Sequence, residues 1–219
     1  ADEMLNAKRI FVKLNYNPAE RNKLALTWQY KSGDRITPRP SGGNSRIFSN
    51  NSFRFNSLIQ SLTMEWNTYL NSNLSNHLVA NTTWQNDTRT GLGQAFPQVT
   101  INDGRGQIFF GMNGASHLTA FKAHDLSLTD ILYYLKGRHS ISTGVDLNTT
   151  SISDLFIGGY YGTYQYRTLD DFMQNKFPVQ YTRSFPKKDH SGMLLDPTSR
   201  FRIYRLSGFI NDEVYLNKN

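Results

Sequence analysis

The chain has 219 residues, no cysteine, a net charge of +7 and a mean hydropathy of −0.54. No run approaches the ~18 consecutive apolar residues of a spanning helix, and the missing thiols exclude disulfides and thiolate metal sites. Charged residues make up 19% of the chain and aromatics 13%. The surplus of Lys and Arg is scattered, with no basic block of the kind that marks a nucleic-acid partner.

In chain order, period-two alternation recurs and long helical periodicity is nearly absent. The first predicted strand, 9–17, puts Ile10, Val12, Leu14 and Tyr16 on one face and Lys13 and Asn15 on the other. After a short polar turn, 23–31 repeats the pattern with Leu24, Leu26, Trp28 and Tyr30. Aliphatics at mid-strand with Trp and Tyr toward an end is the order expected across a bilayer, core first and aromatic belt next. Residues 32–52 are rich in Gly, Pro, Ser and Asn and read as a loop. A strand over 53–70 has Leu58, Leu62, Met64 and Trp66 in phase. The turn after it is short, and the strand 77–86 carries Leu78, Ala80 and Trp84.

Residues 87–120 read as a long irregular loop with a small hairpin at Asp103-Gly104, where Gly supplies the positive φ of a tight turn. Strand 121–135 follows, with Asp130 interrupting its apolar face. A tight turn at Gly137 then leads into strand 139–149. A third loop, 153–198, contains Tyr160, Tyr161, Tyr164 and Tyr166, with Thr168 placed to cap a short helix over 169–175. The last strand is 201–215.

The connections run short, long, short, long, short, long. Short periplasmic turns alternating with long outer loops is the habit of outer-membrane barrels, as are strands of ~10 residues or more. The fold class expected is all-β: an antiparallel transmembrane β-barrel segment of about seven strands. Seven is odd, bacterial single-chain barrels are even, and open edges are not tolerated in lipid. The expectation is therefore part of a larger barrel. No signal peptide is visible in the first residues, which fits a mature chain or one that starts inside a larger protein. Two other readings stay open: a complete small porin or adhesin barrel, and a soluble secreted β-sandwich binding module. For the sandwich, the Asn-x-Ser/Thr triplets at Asn81, Asn86 and Asn148 weigh little in so Asn-rich a chain.

Several segments carry a resemblance. The strand Ile10-Phe11-Val12-Lys13-Leu14-Asn15-Tyr16-Asn17, its polar turn and Lys23-Leu24-Ala25-Leu26-Thr27-Trp28-Gln29-Tyr30 resemble a hairpin of TonB-dependent outer-membrane receptors of the Bacteroidetes type. Gly137-Arg138-His139 through Gly144-Val145-Asp146, and Gly208-Phe209-Ile210-Asn211-Asp212-Glu213, resemble strand motifs of that family. Tyr166-Arg167-Thr168-Leu169-Asp170-Asp171-Phe172 is similar to its aromatic-acidic outer loop. The resemblance implies a 22-stranded barrel of which these strands are about a third, with no plug domain seen here. It implies a bacterial outer-membrane location and uptake of a nutrient ligand. The partners it implies are membrane lipid, the remainder of the barrel with its plug, TonB, and a surface lipoprotein lid.

For chemistry, the five histidines form no ligand pair such as His-x-x-x-His, and no nucleophile–base–orienter set is apparent. No catalytic residue, metal or cofactor is expected, and a barrel-embedded hydrolase has no support. Asp170 and Asp171, with Asp154, read as acids at a helix N-terminus before a Ca²⁺ site. Asp212 and Glu213 read as a solvated strand end, or as a plug contact through the resemblance. Tyr160, Tyr161, Tyr164 and Tyr166 are the candidate ligand-binding residues, weighed against packing of loop on loop. Tyr16, Trp28, Tyr30, Trp66, Trp84, Tyr134 and Tyr204 are expected at the membrane interfaces.

Overall fold

Alternating apolar and polar residues bury one strand face at a time, and β-branched and aromatic residues suit a pleated surface. In the computed structural model, which describes residues 3–216, this patterning gives twelve strands. They are β1 (Met4–Ala19), β2 (Asn22–Thr37), β3 (Ser45–Ile47), β4 (Phe53–Tyr69), β5 (Leu74–Gly91) and β6 (Gln98–Asp103). The rest are β7 (Gly106–Phe110), β8 (Leu118–Lys136), β9 (His139–Ile157), β10 (Thr163–Tyr166), β11 (Gln180–Thr182) and β12 (Ser199–Val214), with one helix, α1 (Leu169–Met173).

The seven long strands form one antiparallel sheet in the order β1-β2-β4-β5-β8-β9-β12, open at β1 and β12. Its register separates two faces. Leu14, Leu26, Met64, Ala80, Leu128, Leu147 and Leu206 are successive partners across all seven strands. One residue along each strand lie Lys13, Thr27, Thr63, Asn81, Ser127, Asn148 and Arg205, again successive partners. One face is thus wholly apolar at mid-sheet and the other wholly polar, as a wall between lipid and a wet lumen requires.

The turns are staggered. The chain end of β1 at Ala19 lies five residues beyond Leu14, whereas Lys136 lies eight beyond Leu128 on β8. The turn therefore descends along the hydrogen-bonding direction, which is the stagger of tilted strands in a barrel wall. Gly144 lets two strands close up. A Cβ there would stand 2.7 Å from the Phe209 ring of β12 and 2.8 Å from the Asp130 carbonyl oxygen. The aromatic ring lies over the glycine and fills the space its missing side chain leaves.

The second sheet differs from the expectation. Residues 32–52, 87–120 and 153–198 were predicted as loops, and 87–120 as irregular. Each instead contributes strands to a five-stranded sheet in the order β11-β10-β6-β7-β3. The β6–β7 hairpin turns at Asp103-Gly104, with Gly104 at φ 59°. β3 joins β7 in parallel, and β10 joins β6 in parallel. The β6–β7 hairpin was expected at Asp103-Gly104, whereas β3, β10 and β11 were not, because they are three or four residues long and β3 and β10 pair with strands of another loop.

The long strands also overrun their predicted ends. The segments 9–17, 23–31, 77–86 and 139–149 extend to Met4–Ala19, Asn22–Thr37, Leu74–Gly91 and His139–Ile157, while 53–70, 121–135 and 201–215 change less. Above the bilayer both faces are wet or covered by cap. Backbone pairing continues there after the apolar alternation stops.

Candidate functional site

The densest packing lies in the cap that the outer loops build. Val99 and Ile101 of β6, Met112 and Ile157 are buried there, together with Asn51, Ser52, Ser116 and His117. Each fully buried aliphatic contributes about 1.5–3 kcal/mol. Polar clasps tie the loops to each other. Asn51 Nδ2 donates to the Gly111 carbonyl at 3.0 Å and its Oδ1 accepts from Arg39, whose backbone N–H donates to Ser52 Oγ at 3.0 Å. Arg89, at the outer end of β5, lies 3.7 Å over the Phe53 ring and donates to Ser116 Oγ and Asn113 Oδ1. Burial, with Arg39 nearby, holds the Arg89 guanidinium below its usual pKa.

His117 is fixed on both nitrogens. Nε2 lies 3.1 Å from the Met112 carbonyl, which can only accept, and Nδ1 takes the Tyr161 backbone N–H at 3.1 Å. The ring is therefore the neutral Nε2–H tautomer, and burial pushes its pKa below the usual value. Sequence reasoning weighed His117 only for catalysis and metal binding and gave neither it nor Asn51 a packing role, because a lone polar residue in a loop carries no periodic signal.

The four candidate tyrosines are half-buried and packed among the loops. Tyr160 meets Tyr161 edge-on at 5.2 Å, and Tyr161 lies 5.0 Å from His117. Tyr164 packs on Tyr181 at 4.7 Å and Tyr166 meets Phe172 edge-on at 5.2 Å. From Phe172 the contacts continue to Phe110 and then Phe48, so one aromatic chain joins all three outer loops. The structure thus packs these tyrosines into the cap, each residue half-buried.

Thr168 caps α1, its Oγ1 accepting from Asp171 N at 3.1 Å. The helix is shorter than the predicted 169–175. It stops because Asn175 takes a positive φ of 54°, and Lys176 N reaches back to the Asp171 carbonyl, which is the Schellman arrangement. The Asp171 carboxylate accepts from Lys176 Nζ at 2.9 Å, which together with Thr168 holds its pKa low. Among the described residues no three His, Asp or Glu side chains converge.

Below the cap, the polar face is a hydrogen-bonded ladder. Asp87 accepts from Ser57 Oγ and Gln85 Nε2, both at 2.6 Å, Asp146 from Thr129 at 2.6 Å, and Asp125 from Thr150. The register puts these acids on β5, β8 and β9, while Arg9, Lys13, Lys31 and Arg35 occupy the same face of β1 and β2. The wall is basic on β1 and β2 and mainly acidic on β5, β8 and β9, with Arg205 of β12 adding a cation at the far side. Such a surface can hold polar cargo or a plug by hydrogen bonds and charge.

The opposite face carries all seven predicted interface aromatics. Tyr16, Trp66 and Tyr134 lie toward the turns, and Trp28, Tyr30, Trp84 and Tyr204 toward the outer end. Asp130 on this face is met by Asn76 Nδ2 at 2.6 Å. At the turn end, His139 Nδ1 and Asp212 Oδ2 are 2.7 Å apart, and Glu213 belongs to the polar face.

Comparison with known proteins accords with this geometry. In its solved structure, an outer membrane transporter from Escherichia coli, YddB, superposes with a TM-score of 0.64 at 10% identity, over 98% of this chain and 26% of that one. The chain thus spans about a quarter of that transporter, and the likeness is one of fold. No curated protein matches the sequence. The model of the outer membrane beta barrel domain matches residues 2–219, so the chain belongs to that family and its place is the bacterial outer membrane.

Proposed function

We propose that the chain forms part of the wall and outer mouth of a TonB-dependent transporter that takes up a nutrient ligand. The observation that carries this is the cap. Strands from all three outer loops join in one sheet at the outer end of the wall, an ordered surface that a receptor needs for capture and an open pore does not. The polar, charged lumen face and the strand motifs similar to TonB-dependent receptors support the same reading. In it, the half-buried Tyr160, Tyr161, Tyr164 and Tyr166 offer the ligand rigid aromatic rings with polar tips. The lumen wall meets the plug, and TonB moves the plug from the periplasm. A lipoprotein lid would sit on the exposed outer side. The work is binding and passage, with no bond broken.

The test uses the complete protein that carries this chain. In a planar bilayer under KCl it should hold no steady conductance, because the plug fills the lumen, and it should bind the soluble periplasmic domain of TonB. A steady open channel without TonB binding would show a passive porin and overturn the reading.

A further inference from the structure

The lipid-facing side of the sheet has a groove at its outer end, outside both the cap and the lumen. It has a volume of about 820 Å³ and spans β4 to β12. Its depth has a simple origin. Ser151 and Ser153 on β9 are short, and their register partners on both sides are long: His124 and Lys122 on β8, Arg202 and Arg200 on β12. The serines form a floor and the larger side chains form two walls. Trp84 extends one wall, its ring stacked on His124 at 5.2 Å with the planes 6° apart, and Thr82 Oγ1 steadies the imidazole at 2.9 Å.

The height of the groove matters. A tilted strand crosses the hydrocarbon in about 9–11 residues. Counted up from the turn end on β8, that places Leu126 at the upper edge of the apolar band, and on β12 it places Tyr204 there. The next outward-facing residues are His124 and Lys122 on β8, Arg202 and Arg200 on β12. The groove therefore lies at headgroup level. Its walls hold three permanent cations against one nearby acid, Asp196, which is paired with Arg200 at 2.7 Å. Arg202 is held toward the floor, with Nε donating to Ser151 Oγ at 2.9 Å. Lys122 is exposed.

We propose that this groove binds the phosphorylated headgroup of an outer-leaflet lipid, with Lys122 and Arg202 contacting the phosphate and Trp84 lying beside the upper acyl chain. Charge-assisted bonds to phosphate are about twice as strong as neutral ones, and an indole at the interface suits a site wet at one end and apolar at the other. The site recognises the membrane itself and is independent of what passes through the lumen.

The experiment titrates the complete, delipidated protein in a nonionic detergent with lipid A and counts bound lipid by native mass spectrometry. The double variant Lys122→Ala/Arg202→Ala should weaken binding about tenfold or more. Ser153→Phe, which fills the floor and removes no charge, should weaken it comparably, and it stands in if the double variant fails to fold. Lys187→Ala, in the outer loop, should leave binding unchanged. Equal binding of dephosphorylated lipid A, wild-type affinity in both groove variants, or displacement of the lipid by millimolar inorganic phosphate would each overturn the proposal. The last of these would assign the groove to a soluble anion.

Discussion

The spanning half of the sheet and the cap above it are made of the same kind of backbone and held by different means. Across the bilayer each strand keeps one face for lipid and one for the lumen, and the lipid face is not buried in protein. Leu126, Leu147 and Leu206 are exposed, and what stabilises them there is the apolar solvent. In the cap, short strands from distant parts of the chain enclose Ile101, which is 1% exposed, and stability comes from close packing. A period of two therefore marks the first region, while the second depends on which residues meet.

This contrast can be tested by substitution, starting with the largest effect. Ile101→Ala should cost about 2–5 kcal/mol by leaving a cavity, and the loss should be confined to the cap. Hydrogen exchange of the complete protein should quicken in β6, β7 and β10 and stay slow in β2, β4 and β5. Equal loosening of both regions would break the distinction. Next, Leu147→Arg should cost about 2–4 kcal/mol in a bilayer, because the guanidinium meets hydrocarbon. The neighbouring Asn148→Arg, on the polar face, should cost far less. Denaturant titration of protein refolded into vesicles reads the difference, and similar costs would mean the two faces are misassigned.

A smaller effect is expected at Thr168→Ala, about 1 kcal/mol through loss of the helix cap. It should be visible as faster proteolysis in 169–176 with the barrel intact. The smallest should come from pH. The folded pKa of His117 is depressed, so the unfolded cap binds the extra proton more readily. Cap stability is then fully present above the unfolded value of about 6.5 and falls as pH drops below it toward the folded pKa. His117→Gln, which keeps a donor and an acceptor, should flatten that dependence in a hydrogen-exchange series. An unchanged pH profile would show that His117 is not the group that sets the dependence.

The same contrast explains what was legible in the sequence. The row from Leu14 to Leu206 was readable because lipid imposes a local rule on each strand separately. The Thr168 cap and the Asp103-Gly104 turn were readable for the same reason, each being decided within a few residues. The cap sheet was not, since Ser45–Ile47 becomes β3 only by meeting Gln107–Phe109, a partner some 60 residues away. The tyrosines stood out by composition, yet their environment depends on His117, Tyr181 and Phe172 in other segments. Gly144 lies between these cases. It stands out within its motif, but the reason for it is Phe209 on a strand distant in sequence.

The parallel pairing of β3 with β7 and of β6 with β10 has a consequence for engineering. Each outer loop presents its neighbours with a hydrogen-bonding edge cut to match. A loop transplanted alone from a relative would arrive without its complementary edge, leaving the backbone of the recipient loops unpaired. The three loops have to be swapped as a set.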